Sequence, residues 1–186
     1  GLILAFFVLG PFLLQAQPSN HLDLSFLSRV QKGELLLSQS RNQEAADQFS
    51  SLIAEGAVDG YVFRGLIRAY WNLGKLEGAK RLIADFLAEN PDSTEALYGF
   101  GYIFYLNEDM DKAEEYFEQA VASDPRNALA LNNWGAVFTR QKSYVQAAEK
   151  VREAIQLNPS EPMFFRNLKI IYREMGDPGL ILADFE

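Results

Sequence analysis

Three prolines, Pro91, Pro125 and Pro159, stand 34 residues apart, and other residues keep the same interval. Ala45, Ala79, Ala113 and Ala147 repeat it, and Phe49, Ile83, Phe117 and Val151 repeat it again four positions further on. Here a small residue, a large apolar residue and a helix-stopping proline recur in one register. Such a chain is built of similar units, each too short to bury its own apolar face, so the units must stack. Unit starts at Phe26, Gly60, Thr94, Ala128 and Pro162 bring all three series into line.

Each unit carries two apolar stripes at i, i+3, i+4, i+7 spacing, the mark of amphipathic helices. Short breaks separate them at Gly74-Lys75, Asn107-Glu108-Asp109, Gln141-Lys142-Ser143 and Gly176-Asp177. Small residues at Gly101 and Ala113, and again at Gly135 and Ala147, predict close approach of the two helices. The prolines open the connection to the next unit, where a helix must stop.

The third unit has Leu97, Phe100-Gly101, Phe104, Ala113, Phe117, Ala120 and Pro125. The fourth has Leu131, Trp134-Gly135, Phe138, Ala147, Val151, Ala154 and Pro159. The second has Phe63, Leu66, Tyr70, Ala79, Ile83 and Pro91, with Ile67 in place of the glycine and Phe86 in place of the later alanine. The first is degenerate: Gly33, Ala45 and Phe49 fit, whereas Arg29, Lys32 and Ala57 do not. These residues resemble the signature of the tetratricopeptide repeat family. The resemblance covers residues 26–186 and implies an all-α fold, a right-handed superhelical solenoid of antiparallel helix-turn-helix repeats. The repeat domain, 17–186, then holds repeats 26–59 (degenerate), 60–93, 94–127, 128–161 and an incomplete 162–186. Pro162 to Met175 reads as a fifth first helix with Phe165, Leu168 and Tyr172 on its packing face. Pro178 then opens a second helix carrying Ile181 and Phe185, and the sequence reads as a piece clipped at both ends.

Residues 1–16 differ from all that follows. Gly1 to Leu14 is an apolar run without charge, interrupted only by Pro11, and Ala16 fits the position just before a signal-peptidase cut. Its length suits a clipped signal peptide better than a complete membrane span; a truncated membrane anchor and a buried helix of the domain are the other readings. The first basic residue is Arg29. The first two readings place the rest of the chain outside the cytoplasm, in the periplasm or envelope or secreted, with membrane contact only through an uncleaved N-terminal segment.

The resemblance implies that the first helices line a concave channel holding an extended peptide or a partner helix, chiefly through repeat positions 2, 5, 6, 9, 12 and 13. Those positions carry Tyr61, Arg64, Arg68 and Trp71 in the second repeat and Tyr98, Tyr102 and Tyr105 in the third. They carry Asn132, Asn133 and Arg140 in the fourth, and Arg166 and Arg173 in the fifth. The third repeat makes part of the case unaided: Tyr98, Tyr102 and Tyr105 form a stripe roughly 110° around the helix from Leu97, Phe100, Gly101 and Phe104. One stripe serves the partner helix; the other packs on a neighbouring repeat or faces a ligand, and aromatics with a polar tip suit a wet groove. Arginines among tyrosines suit a guest with acidic segments, by paired hydrogen bonds to carboxylate and by stacking, against the local acids Glu34, Glu95 and Glu174. Asn132 and Asn133 offer hydrogen bonds to an extended backbone. The lysine and asparagine set by which some relatives clamp a terminal carboxylate is missing, since Gly99 and Leu129 occupy two of its places.

Net charge is −8, which repels phosphate backbones and makes nucleic acid a poor partner. There is no cysteine, so disulfides, thiol nucleophiles and thiolate zinc sites are excluded. His21, the single histidine, reads as a surface residue, leaving acid–base catalysis little to draw on. The acids Glu108, Asp109, Asp111, Glu114 and Glu115 lack the spacing of a calcium loop and read as a solvated helix start. No metal or cofactor is expected. The leading expectation is a non-enzymatic scaffold for protein partners; a membrane-tethered structural subunit and the accessory arm of a larger enzyme are the alternatives.

Overall fold

The computed structural model describes residues 24–176, and among these lie nine α-helices and no strand. They are α1 (Leu24–Ser38), α2 (Asn42–Ala54), α3 (Gly60–Asn72), α4 (Leu76–Glu89), α5 (Thr94–Leu106), α6 (Met110–Ser123), α7 (Ala128–Arg140), α8 (Tyr144–Leu157) and α9 (Pro162–Met175). The helices α3, α5, α7 and α9 begin on the residues that the register assigns as unit starts. The apolar leader, and the second helix expected from Pro178, lie outside the described residues.

Local chemistry sets these boundaries. Asp59, Ser93 and Asn127, one per repeat, accept a hydrogen bond from the backbone N–H of Val62, Ala96 and Ala130 and so cap α3, α5 and α7. Glu161 does the same for Met163 at the start of α9, where Pro162 cannot donate anyway. Each of the four described hairpins turns through one residue with positive φ, Ser40 at 58°, Gly74 at 67°, Glu108 at 60° and Lys142 at 62°, and α9 is capped by Gly176 at 74°. At the third of these, Glu108 N–H bonds to the Tyr105 carbonyl and Asp109 N–H reaches back to Phe104, which satisfies the last carbonyls of α5. An L-residue in that conformation costs about 1 kcal/mol, so three of these four turns are held against a local penalty.

Packing explains why the units stack. Ala45, Ala79, Ala113 and Ala147 are all fully buried, as are Phe49, Ile83, Phe117 and Val151. The Phe49 ring lies between α1 and α3 so tightly that a Cβ on Gly33 or Gly65 would come within 2.4 Å or 2.2 Å of its Cζ. Burying such a ring contributes about 2–3 kcal/mol. On α9, Leu168 and Tyr172 are buried as expected. Phe165, by contrast, is half-buried, and its neighbour Phe164 holds the core place. The core runs the length of the stack as two clusters that meet at α5, with Tyr61, Tyr102 and Phe104 packed against both. No helix among the described residues is long and apolar enough to cross a membrane.

Candidate functional site

The first helices α1, α3, α5, α7 and α9 lie side by side in chain order, each against the next. Residues 34 apart therefore form ladders across them. The ladder at repeat position 9 reads Glu34, Arg68, Tyr102, Ala136, Ile170, and that at position 5 reads Val30, Arg64, Tyr98, Asn132, Arg166. Along the position 9 ladder the side chains thus pass from acidic, through basic and aromatic, to apolar.

The basic section is built around Arg64. Its side chain is only 14% exposed, and its guanidinium lies 4.8 Å above the Tyr61 ring. One terminal nitrogen donates to the Met163 thioether at 3.4 Å, and the other stands 3.6 Å from Glu34. A thioether is a weak acceptor, and the buried Arg64 Nε has no hydrogen-bond partner among the described residues. Arg68 donates to Glu34 at 2.7 Å. Arg64, Arg68, Tyr102 and Arg166 line a cavity of about 360 Å³ together with Glu161, Pro162 and Met163.

Tyr61 donates its hydroxyl to Glu161 at 2.9 Å, and Asn158 donates to that hydroxyl at 3.4 Å. Burial, and then the Glu161 carboxylate, push the Tyr61 hydroxyl up to about 12. These contacts join residues about a hundred positions apart. They arise because the stack curls until the start of α3 meets the starts of α7 and α9: a Cβ on Gly60 would lie 2.7 Å from Leu129.

The apolar section is a second cavity of about 220 Å³, lined by Tyr105, Ala136, Thr139, Arg140, Asn167, Ile170 and Ile171. Ile170 is 41% exposed there, and Trp71 on α3 is 46% exposed at the C-terminal end of its helix. Arg140 is exposed and pairs with Glu108 at 2.8 Å.

Two sequence expectations need correction. Tyr98 is fully buried; its ring packs against Phe117 and Tyr102, with centroids at 6.0 Å and 6.3 Å, and its hydroxyl accepts from Asn133. In the third and fourth repeats position 5 lies between adjacent first helices rather than in the groove, and burial pushes the Tyr98 hydroxyl upward. Asn132 is fully buried too, accepting from Asn167 and donating to Asn133, each at 2.9 Å. The amides thus form a chain, Asn167 to Asn132 to Asn133 to Tyr98, that is satisfied within the protein. Tyr61 is a tie across the groove; Arg64, Arg68, Tyr102, Tyr105, Arg140 and Arg166 line its cavities. Sequence reasoning missed Glu161 and Ile171, because nothing in the local pattern shows how far the stack curls.

The profile of the tetratricopeptide repeat family matches residues 64–128 and 107–162, more than half of the chain. This chain is a tetratricopeptide repeat protein. Among solved structures it is similar to a thermophilic TPR protein in Thermus thermophilus, with a TM-score of 0.65 and 19% identity over 85% of this chain and 87% of that one. It is also similar to the MamA protein, with a TM-score of 0.55 and 16% identity over 87% of this chain and 88% of that one. A MamA MSR-1 structure gives 0.52 and 21% over 88% and 94%. At such identities the likeness shows the fold, the right-handed superhelical solenoid. A search of curated protein sequences returns no significant match.

Tetratricopeptide repeat proteins are generally non-catalytic scaffolds for protein partners. In this one Asp109, at the start of α6, serves the helix itself: it accepts from the Lys112 backbone and pairs with the Lys112 ammonium at 3.1 Å, and the side-chain hydrogen bond with Lys112 holds its carboxyl below the usual range.

Proposed function

We propose that this tetratricopeptide repeat protein is a non-enzymatic interaction scaffold that holds an extended peptide or a helix of a protein partner in the concave groove. One observation carries the reading: a basic cavity and an apolar cavity follow one another along the same row of first helices. A carboxylate of the guest would sit against Arg64, Arg68 and Arg166, where the Arg64 guanidinium is under-used. A large apolar side chain would fill the space between Tyr105, Ala136 and Ile170. Glu34 already holds Arg68, so a guest carboxylate competes with a resident one, which favours modest affinity and ready exchange.

The test is capture of partners by the full chain and by the double variant Arg68→Glu, Tyr102→Ala, with circular dichroism to show that both are folded. Capture should fall at least about ten-fold in the variant, as expected when a desolvated charge contact is reversed. Capture that survives in full would remove the groove from the account. The proposal includes a site of action outside the cytoplasm, on the strength of the uncharged run Gly1 to Leu14. Recovery of the protein from the cytosol with that segment intact would overturn this part alone.

A further inference from the structure

A larger cavity, of about 750 Å³, lies away from the first helices' groove, between the C-terminal ends of α2 and α4 and the loops that follow them. That volume is within the roughly 300–1,000 Å³ typical of binding pockets. Its floor is apolar, formed by Ile53, Val58, Leu82 and Phe86. Its rim carries four carboxylates, Asp85, Glu89, Asp92 and Glu95, and no lysine or arginine is among the lining residues. None of the four is ion-paired among the described residues; Glu95 alone has a side-chain bond there, from the Ser93 hydroxyl.

The cause is local. At repeat position 27 the third and fourth repeats have Ala120 and Ala154, both fully buried, where the second has Phe86. That ring meets Phe63 edge-on at 5.4 Å and stays partly exposed. At position 32 the first repeat has Ala57 instead of a proline, and its linker turns through Gly56 at φ 71°. α2 consequently stops at Ala54, one residue short of the matching ends of α4, α6 and α8.

We infer that this cleft is a second docking site, for a basic amphipathic segment of a partner protein. Lysines or arginines of that segment meet the rim, and one or two large apolar side chains cover the floor. Charge decides the occupant. Residues 1–23 and 177–186 contain no lysine or arginine, so neither of these segments complements the rim. A second copy, at a net charge of −8, is repelled. With the basic groove occupied as well, the protein would bridge two segments of opposite charge.

The sequence has no cysteine, so Ala54→Cys places one dye at the cleft of the full chain. Two synthetic probes of equal charge are titrated, a leucine–lysine peptide and an oligolysine. The leucine–lysine peptide should shift the dye emission, bind at least about ten-fold more tightly than oligolysine, and be unaffected by Arg68→Glu. The variant Asp85→Asn, Glu89→Gln, Asp92→Asn, Glu95→Gln should weaken it about ten-fold, a summed effect of several exposed charge pairs. Folding of each variant is checked by circular dichroism. Binding unchanged by that variant, or equal binding of oligolysine, would overturn the inference. So would peptide-free dimerisation that the variant abolishes, since a second copy would then be the occupant. Because Arg68 takes no part, failure here leaves the groove reading intact, and the reverse holds too.

Discussion

The second repeat and the fourth solve the same packing problem with different residues. In the fourth, Gly135 on α7 lets α8 come so close that a Cβ would lie 2.6 Å from Val151 and 2.9 Å from the Ala147 carbonyl oxygen. In the second, the matching residue is Ile67, fully buried, and the close approach moves across to Gly78 on α4. There the Tyr70 ring would lie 2.5 Å from an added Cβ. The pattern of the family asks for a small residue at one address. Physics asks only that one of the two facing helices supply it. The second repeat is the looser for the change: α4 buries Ala79 and Ile83 alone, whereas α8 buries Ala147, Ala148, Val151 and Ala154.

If that comparison is right, exchanging the two solutions fails in both directions. Gly135→Val meets a backbone oxygen that cannot yield, and Ile67→Ala leaves a cavity. Each should cost about 3 kcal/mol in chemical denaturation, the upper end for overpacking and the usual range for a lost buried isoleucine. A neutral Ile67→Ala would break the comparison. A smaller effect is due at Gly78→Ala, about 1 kcal/mol, because the ring of half-buried Tyr70 can swing aside where a carbonyl cannot. The turns offer a gain. Lys142→Gly should stabilise by about 0.5–1 kcal/mol, by relieving a side chain held at φ 62°, while Gly74→Ala should lose a similar amount; thermal melts of the two read out opposite signs.

The smallest effect concerns the first repeat, where an exposed ion pair helps tie α1 to α2. Arg29 grips Glu55 through both guanidinium nitrogens, at 2.6 Å and 2.8 Å, and those bonds, with one from Ser51, bring the Glu55 carboxyl down to about 2. A carboxyl lowered on folding stabilises above its unfolded value and loses that contribution as pH falls toward its folded one. A nuclear magnetic resonance titration should place the Glu55 midpoint near 2 and move it up toward 4.5 in Arg29→Gln. An unmoved midpoint would mean that the pair contributes nothing in solution.

The register was readable because helix starts and stops are local events. A proline such as Pro162 and a buried alanine such as Ala113 act within a turn or two, and the pattern places both. The groove was readable in outline only. Whether position 5 faces a guest or a neighbouring helix depends on the angle between helices, and so Tyr98 and Asn132 were expected in the groove and lie beneath it. Arg68 meeting Glu34 was within reach, since the two sit at the same repeat position one unit apart. Tyr61 meeting Glu161 was not, because that contact sums small rotations over three repeats.

This last contact has a consequence for the kind of guest admitted. With Tyr61 and Arg64 reaching over to Glu161 and Met163, the groove is roofed along the edge where the first helices begin. If the groove holds a guest as proposed, a loop anchored in folded bulk at both of its ends would have to slip in sideways past Trp71 and Arg140, whereas a loose chain terminus could be threaded lengthwise. On the groove reading proposed above, the roof would sort visitors by topology before any side chain is recognised.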